Sequence, residues 1–226
     1  IDKDMNPFDS IFDRFLNMDR CPEIFYLREN IRNWRFYDYF RTDKDAPARQ
    51  SQIGTFTPIL NHDGSDVAAA IQTVMENGIM ENLVSTIEDA FPGARLEVQA
   101  EQGRFSLFFH QPGLLRPLTV SELSEGTLRY ILLVAALLTP RPPELMVLNE
   151  PETSLHPDLI PALARLIIKA SKESQIWVIS HSKVLIKQLT KYKHCKHLEL
   201  EKELGATLLK GQNLLDKPQW KWPVKS

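Results

Sequence analysis

Cysteine and long apolar runs are both scarce in this sequence of 226 residues. The two cysteines, Cys21 and Cys195, lie far apart and show none of the spacings of metal-binding or disulfide-rich proteins. No apolar run approaches the roughly 18 residues that span a bilayer. The polar residues 1–4, with no apolar stretch after them, do not predict a signal peptide. These absences argue against a membrane association and favour a cytoplasmic protein.

Glycine is the third scarce feature. The sequence has nine glycines, the first at position 54, and no Gly-Lys pair followed by Ser or Thr. The glycine-rich loop G-x-x-x-x-G-K-[ST] wraps its backbone N–H groups around the phosphates of a nucleotide. The sequence therefore lacks a complete phosphate-binding loop of this type.

The remaining composition is that of a globular protein, but its charge is unevenly distributed. Hydrophobic residues make up 43% and charged residues 25% of the chain, which suits one large domain or two small ones. Residues 183–226 contain ten Lys and four acids, a net charge of +6, so residues 1–182 carry −8 of the total of −2. A basic region predicts contact with nucleic acid such as DNA. The alternative is a solvated surface, because Glu199, Glu201 and Glu203 are interleaved with the lysines.

The first part of the chain is rich in aromatic residues and has helical patterns. Apolar residues at helical spacing predict helices, and Asp66 is expected to cap the third of them. The aromatic segment 34–43 alternates with charges and could bury one face, and residues 44–66 have the turn formers of a loop. The helices are predicted at residues 8–18, 22–34, 67–77 and 79–90.

Strands alternate with helices in the second part of the chain. A hairpin is predicted at residues 95–101 and 103–110, and two buried strands at residues 145–148 and 175–180. A closing strand pair is expected near residues 197–211. This alternation predicts an α/β fold with a largely parallel sheet. The helices are predicted at residues 123–138, 157–172 and 183–189.

Three short motifs could carry chemistry. In "SELSEGTLRY", Ser124 and Gly126 precede a long apolar helix, as in a phosphate site at a helix N-terminus; the alternative is a plain N-cap. In "LMVLNEPETSLHPDL", a buried strand presents Asn149 and Glu150 at its carboxyl end, where open α/β sheets bind ligands. Glu150 could accept a proton from an attacking water, or it could simply end a strand.

The third motif is "VISHS", in which His181 follows the next buried strand. A neutral His at this sheet edge could donate to a phosphate oxygen. The alternative is a structural His beside the next helix. Taken alone, each of the three motifs is ambiguous, but the three lie in one order along one stretch of the chain.

Together the motifs resemble the C-terminal half of an ABC-type ATPase. "LSEGTLRY" is similar to the ABC signature motif, "LMVLNEPE" to the Walker B strand with its catalytic Glu, "TSLHPDL" to the D-loop and "ISHS" to the switch histidine. The form "EPETSLHP" is typical of the soluble branch, with SMC- and RecF-type proteins and the predicted ATPases of the AAA-21 kind. The resemblance covers about residues 118–200. It implies a P-loop NTPase fold, with an aromatic-rich helical subdomain region at 1–94 and a C-terminal ABC ATPase lobe at 95–226.

The resemblance also implies a role for each matching residue. Glu150 would be the general base, and His181 would sense the γ-phosphate of ATP. Asn149 matches the position that is usually an Asp and assists Mg²⁺, and its neutral amide would bind the metal more weakly. The residues that would contact an ATP held mainly by a second subunit are Ser124, Glu125, Gly126 and Thr127. The residues that would lie at the interface of this homodimer are Ser154, His156 and Asp158.

The phosphate-binding loop of such proteins lies near their N-terminus. Because this chain begins with Ile and contains no such loop, we expect an N-terminal lobe outside this sequence, and we expect the isolated fragment to be inactive. Gln52 is not assigned to the Q-loop, because its surroundings do not match that motif.

We therefore predict an ATP hydrolase that pairs two subunits around nucleotide and acts in a DNA-related process such as DNA repair, or in phage defence. The alternative is a non-catalytic, nucleotide-gated interaction or scaffold module, which the neutral Asn149 and the basic region favour. A transporter subunit is a third class, and no segment of the sequence indicates the coupling surface that it would need.

Overall fold

The computed structural model describes residues 10–14, 21–203 and 205–211. Within them, no helix combines the length and the apolar character needed to cross a membrane. The helices are α1 (Ile11–Arg14), α2 (Pro22–Asn33), α3 (Val67–Glu76), α4 (Met80–Ala90), α5 (Glu125–Leu137), α6 (Ile160–Ala170) and α7 (Lys183–Leu189). The strands are β1 (Arg35–Tyr37), β2 (Gln52–Ile53), β3 (Arg95–Glu101), β4 (Arg104–His110), β5 (Leu118–Thr119), β6 (Leu145–Asn149), β7 (Gln175–Ile179), β8 (Leu200–Glu203) and β9 (Ala206–Leu209).

A parallel sheet with the strand order β1-β6-β7 presents its carboxyl ends at one edge. The first four residues of β6 are buried, as expected for a central strand of a parallel sheet. Phe36, Val147 and Trp177 lie side by side across the three strands, and Asn149 pairs with Ile179. The ends of β6 and β7 therefore place the residues that follow them next to each other.

The central helix α5 is buried on nearly its whole circumference. All ten residues from Leu128 to Leu137 are buried, so α5 is a core helix rather than an amphipathic surface helix. Its side chains share one core cluster with Leu148 of β6 and Leu163 of α6. This cluster includes residues from both sides of position 94. The division of the chain into a helical region at 1–94 and an ATPase lobe at 95–226 therefore remains a prediction.

A second sheet is antiparallel and contains the predicted hairpin. β3 and β4 pair along their full length, and Gln102 and Gly103 at the turn both have positive φ, as a type I′ turn requires. β2 and β5 add to β4, so that the order is β2-β4-β3 with β5 also on β4. The sequence did not predict these two-residue strands, because they are too short to show a period. The mixed α/β fold class with a parallel sheet is confirmed.

The other predicted elements agree closely with the structure. α3 to α7, β6 and β7 lie within a few residues of their predicted bounds, and β8 and β9 form the closing hairpin. The helix predicted at residues 157–172 begins as a 3₁₀ turn at Pro157–Leu159 before α6. The helix predicted at 8–18 is described only over α1, and its remaining residues lie outside the described part.

The prediction that β7 is a buried strand is wrong. Its residues alternate between exposed and half-buried, and Trp177 is 56% exposed. Phe36, its neighbour across the sheet, is also exposed. The apolar run of β7 therefore belongs to an edge strand of the described sheet, and no other described residue covers one face of this strand.

The expected cap of α3 by Asp66 is also wrong in detail. Asp66 occupies the N-cap position, but its carboxylate accepts a hydrogen bond from the backbone of Asn61 instead of one from the helix. The N–H of Ala68 donates to the side chain of Gln52 at 2.8 Å. Gln52 therefore caps α3 from β2, a contact that no local sequence pattern could indicate.

Candidate functional site

Glu150 follows β6 directly and has an uncommon backbone conformation. Its φ is +44°, in the left-handed region that costs a residue other than glycine roughly 1–3 kcal/mol. Three hydrogen bonds hold it there. Its N–H donates to the carbonyl of Ile179 at 2.8 Å, and its carbonyl accepts from the N–H of Thr153 at 3.0 Å and from Nη2 of Arg129 at 3.1 Å. Hydrogen bonds therefore hold the peptide groups on both sides of Glu150 and fix the sharp turn after the buried strand.

The Glu150 carboxylate lies beside the imidazole of His181. Glu150 Oε1 and His181 Nε2 are 3.6 Å apart, and these side chains are 47% and 86% exposed. Thr153 Oγ1 lies 3.4 Å from the other carboxylate oxygen. An accessible carboxylate can accept a proton from water, and the neighbouring imidazole can donate to an anion. The two predicted catalytic residues are therefore brought together.

Glu152 fixes the loop that carries His181. Its Oε1 accepts hydrogen bonds from Ser180 Oγ and from the backbone N–H of Ser182, the two residues that flank His181. Ser182 in turn caps α7, because its hydroxyl accepts from the N–H of Leu185 at 3.3 Å. The loop after β6 and the loop after β7 are thus joined through one carboxylate, which the sequence did not single out.

The start of α5 has the geometry of a capped helix. Ser124 Oγ accepts from the N–H of Thr127 at 3.1 Å and lies 2.8 Å from the Thr127 hydroxyl. The plain N-cap is therefore present, and the exposed serine hydroxyl lies at a helix N-terminus, where backbone N–H groups and the dipole favour an anion. Glu125 follows as an exposed residue in the first turn. The capping role and the phosphate role are compatible.

Gly126 allows a close approach between α5 and the loop after β6. A Cβ at this position would lie 2.6 Å from the carbonyl oxygen of Ser154, closer than real Cβ contacts allow. Ser154 itself has a φ of +64°, so it is also left-handed. The lack of a side chain at Gly126 therefore leaves room for the left-handed turn at Ser154, and both residues line the groove described next.

An open groove of about 600 Å³ lies between the start of α5 and the segment before α6. His156 caps the 3₁₀ turn, with its Nδ1 accepting from the N–H of Asp158 at 3.4 Å, and both side chains are largely exposed. The groove therefore joins the predicted nucleotide-binding residues to the predicted interface residues. Its lining consists of Phe91, Ser124, Gly126, Thr127, Ser154, Leu155, His156, Pro157, Asp158 and Leu159.

Arg129 of α5 is a buried charged residue that contacts the Glu150 carbonyl, and the sequence did not predict its role. It is 3% exposed, and its guanidinium carbon is 5.7 Å from the centre of the Tyr39 ring. Burial lowers the pKa of Arg129, while Tyr39, Glu152 and Glu150 act in the opposite direction. The only signal in the sequence is a single charge inside the otherwise apolar stretch of α5.

Asn149 ends β6 and is half-buried beside Glu150. Its amide oxygen and the Glu150 carboxylate are oxygen donors, which suit Mg²⁺ when phosphate oxygens and waters complete its shell. Among the described residues, no group of three or more His, Cys, Asp or Glu side chains could hold a metal by itself. The donor set fits a metal that arrives with a nucleotide.

Asn149, Glu150 and His181 thus lie at the carboxyl ends of parallel strands, which is where open α/β sheets bind ligands. Residues 6–187 match the family described as "AAA domain, putative AbiEii toxin, Type IV TA system". The chain belongs to this family of AAA-type P-loop ATPases. No curated protein matches the chain.

Solved SMC heads are similar to this chain. The Smc head domain with a coiled coil and joint from Pyrococcus yayanosii is 17% identical with a TM-score of 0.51, over 65% of this chain and 28% of that chain. The SMC head domain from Thermotoga maritima is 21% identical with a TM-score of 0.44, over 63% of this chain and 51% of that chain. At such identities, the likeness to the first structure shows the fold alone.

Proposed function

We propose that this chain forms part of an ATP hydrolase in which two subunits close around nucleotide. The observation that carries the proposal is the division of the predicted residues into two sets. Glu150 and His181 form one set at the sheet edge, 3.6 Å apart. Ser124, Gly126 and Ser154 form the other, in the open groove at the start of α5.

The first set suits the hydrolytic step. Glu150 would accept a proton from the attacking water, and His181 would donate a hydrogen bond to the terminal phosphate. Asn149 would orient a water of the Mg²⁺ shell, and the metal would neutralise phosphate charge. The hydrogen bonds of the Glu150 backbone and of Glu152 fix the two loops that carry these side chains.

The second set suits the nucleotide of a second subunit. The Ser124 hydroxyl and the helix N-terminus behind it would meet a phosphate. Ser154, His156 and Asp158 line the same groove, so a partner that brings a phosphate to Ser124 would also contact them. In a twofold dimer, the same contact would occur twice.

The proposal requires a glycine-rich phosphate loop from polypeptide outside this sequence, which contains no Gly-Lys-Ser/Thr triplet. One face of the parallel sheet is uncovered at its outer strands by the part of the chain that the structure describes, which supports this requirement. Phe36 and Trp177 are exposed on either side of the buried Val147 in one row across the sheet, although parallel sheets are normally covered on both faces.

A mixing experiment with the full-length protein tests the composite site. Glu150→Gln should lower turnover about a hundredfold or more, and Ser124→Arg, which fills the groove, should cause a comparable loss. In a dimer of one subunit of each kind, one site keeps Glu150 and Ser124 intact. The mixture should therefore recover about a quarter of wild-type turnover, because half of the dimers are mixed and each has one working site. No recovery at any ratio, with both variants folded and binding ATP, would contradict the two-subunit site.

A DNA-related or defence role is the finer part of the proposal. The family description names a putative toxin of a type IV toxin–antitoxin system, which favours defence. The Lys-rich region favours a nucleic-acid contact. The alternative, a nucleotide-gated scaffold without turnover, is favoured by Asn149, whose neutral amide binds metal more weakly than a carboxylate. Full-length protein that binds ATP but releases no phosphate would establish that alternative.

A further inference from the structure

Arg129 is a buried charge that the proposed reaction does not use directly. The one side-chain hydrogen bond that the described residues give it runs from Nη2 to the carbonyl oxygen of Glu150. Its buried Nε has no partner among the described residues. Burying a guanidinium with so few partners costs stability, and an apolar side chain of similar size often packs better. The contact with Glu150 is therefore the feature that sets Arg129 apart from its apolar neighbours.

Two contacts fasten the loop after β6 to the first turns of α5. At the beginning of the loop, Arg129 holds the carbonyl of Glu150, and at its end, the carbonyl of Ser154 packs against Gly126. Both Glu150 and Ser154 have a left-handed backbone. Such residues keep that conformation only where their surroundings fix it. The contacts from the start of α5 therefore fix the conformation of residues 150–154.

The carbonyl of Glu150 determines where its carboxylate lies. The carbonyl oxygen accepts from Arg129 and from the N–H of Thr153, so the peptide plane after Glu150 is fixed by two donors. Without Arg129, the turn would keep one donor and could relax toward an ordinary backbone conformation. The Cα–Cβ bond of Glu150 would then turn, and the carboxylate would leave its position beside His181.

We infer that Arg129 is a positioning residue for Glu150: its hydrogen bond to the Glu150 carbonyl holds the candidate base in its left-handed conformation and ties it to the helix that carries Ser124. This inference rests on the proposed function for its kinetic consequence. Arg129 acts through the backbone of Glu150 and needs no contact with nucleotide. Its effect is expected on the rate of the chemical step and not on ATP binding.

Steady-state ATP turnover by the full-length protein gives the first test. Arg129→Met keeps the bulk of the side chain and removes its donors, and Arg129→Lys restores a charge and one donor. The Met variant should lower kcat at least about tenfold and leave KM for ATP within about twofold, and the Lys variant should recover part of the loss. The matched control is Arg165→Met, since Arg165 is also a helical Arg and pairs with Asp89 at 2.7 and 2.8 Å. It should behave like wild type.

A double variant separates positioning from general weakening. If Arg129 acts through Glu150, Arg129→Met should cause no further loss in a Glu150→Gln background, because the residue that it positions is already disabled. Additive losses, or an Arg129→Met variant that keeps the wild-type kcat, would overturn the inference. A loss confined to KM would also overturn it.

Hydrogen–deuterium exchange gives a readout that is independent of turnover. In Arg129→Met, the amides of Glu150 and of residues 152–155 should exchange faster, while those of residues 96–101 in β3, which pairs with β4 away from this loop, stay as in wild type. Unchanged exchange at 150–155, or a uniform increase along the chain, would contradict the positioning role. If the Met variant does not fold, the Lys variant carries the same measurements. A wild-type protein without turnover would refute the proposed function, whereas the exchange result would still decide the role of Arg129.

Discussion

The strand-end site and the Lys-rich C-terminal region differ in how firmly the fold shapes them. At the site, two left-handed residues, Glu150 and Ser154, are held by a buried Arg129 and by a close backbone contact at Gly126. From α7 to residue 211, the residues that the structure describes are largely exposed, and Leu200 in the closing hairpin is 67% exposed. The strained backbone at Glu150 and Ser154 persists because buried residues hold it, which is typical of a functional site. The charges of the Lys-rich region, by contrast, are typical of a solvent-exposed surface.

The charges of the C-terminal region are also partly neutralised within the chain. Lys210 Nζ lies 3.0 Å from both carboxylate oxygens of Glu199. This pair supports the alternative of a solvated surface, while the proposed DNA contact needs the lysines that are not paired in this way.

Gly126→Ala should give the largest effect on stability. In a helix, this change normally stabilises a protein by roughly 1 kcal/mol, because alanine is the better helix former. Here the new methyl group would lie 2.6 Å from the backbone oxygen of Ser154, and overpacking of this kind costs about 1–3 kcal/mol. Chemical denaturation should therefore show a loss of stability. A gain would mean that the loop after β6 is not fixed against α5.

His181→Gln should lower ATP turnover about tenfold and leave the free energy of unfolding nearly unchanged. The side chain is 86% exposed and contributes little packing, so its loss should be felt mainly by a bound phosphate. Turnover and thermal unfolding of the same sample would check both parts. Wild-type turnover in this variant would remove His181 from the site.

Replacing Lys191, Lys193 and Lys196 by Gln should weaken DNA binding severalfold without changing ATP turnover in the absence of DNA. If these lysines contact phosphates, the slope of log affinity against log salt should fall by about three. Fluorescence anisotropy with a duplex at several salt concentrations measures it. A flat salt response in the wild type would leave only the solvated surface.

The smallest expected effect concerns the turn that leads into α5. Hydrogen bonds from Arg116, and then from Thr119, lower the pKa of the exposed Glu122 carboxyl to about 2 from its ordinary 4.5. A group with a depressed folded pKa adds stability above its ordinary pKa, and that stability disappears as the pH falls toward 2. Glu122→Gln should therefore unfold with a shallower pH dependence between pH 4.5 and 2 than wild type. Equal slopes in pH-dependent unfolding would show that this contact does not stabilise the fold.

The sequence predicted those features that depend on local patterns. The bounds of the β3–β4 hairpin, the core helix α5 and the strand before Glu150 follow from periodicity and turn residues. The exposure of Trp177 could not be predicted, because an apolar run does not reveal which strand is an edge.

The supporting residues of the site could not be predicted for a different reason. Arg129 reaches Glu150 across 21 positions, and Glu152 reaches Ser180 across 28. Gln52 caps a helix that begins 15 residues later. These roles arise only when the chain is folded, since each depends on which elements meet in space. Motif residues can be recognised in sequence, whereas the residues that position them need the structure.

The most direct measurement of the central claim is ATP turnover by the full-length protein, wild type beside Glu150→Gln, with Mg²⁺ and with and without DNA. Glu173→Gln, an exposed Glu beyond α6, is the matched control. We predict that Glu150→Gln loses turnover by about a hundredfold or more while still binding ATP, and that the control retains it. Equal turnover in wild type and Glu150→Gln would contradict the assignment of the base, and with it the account of the site.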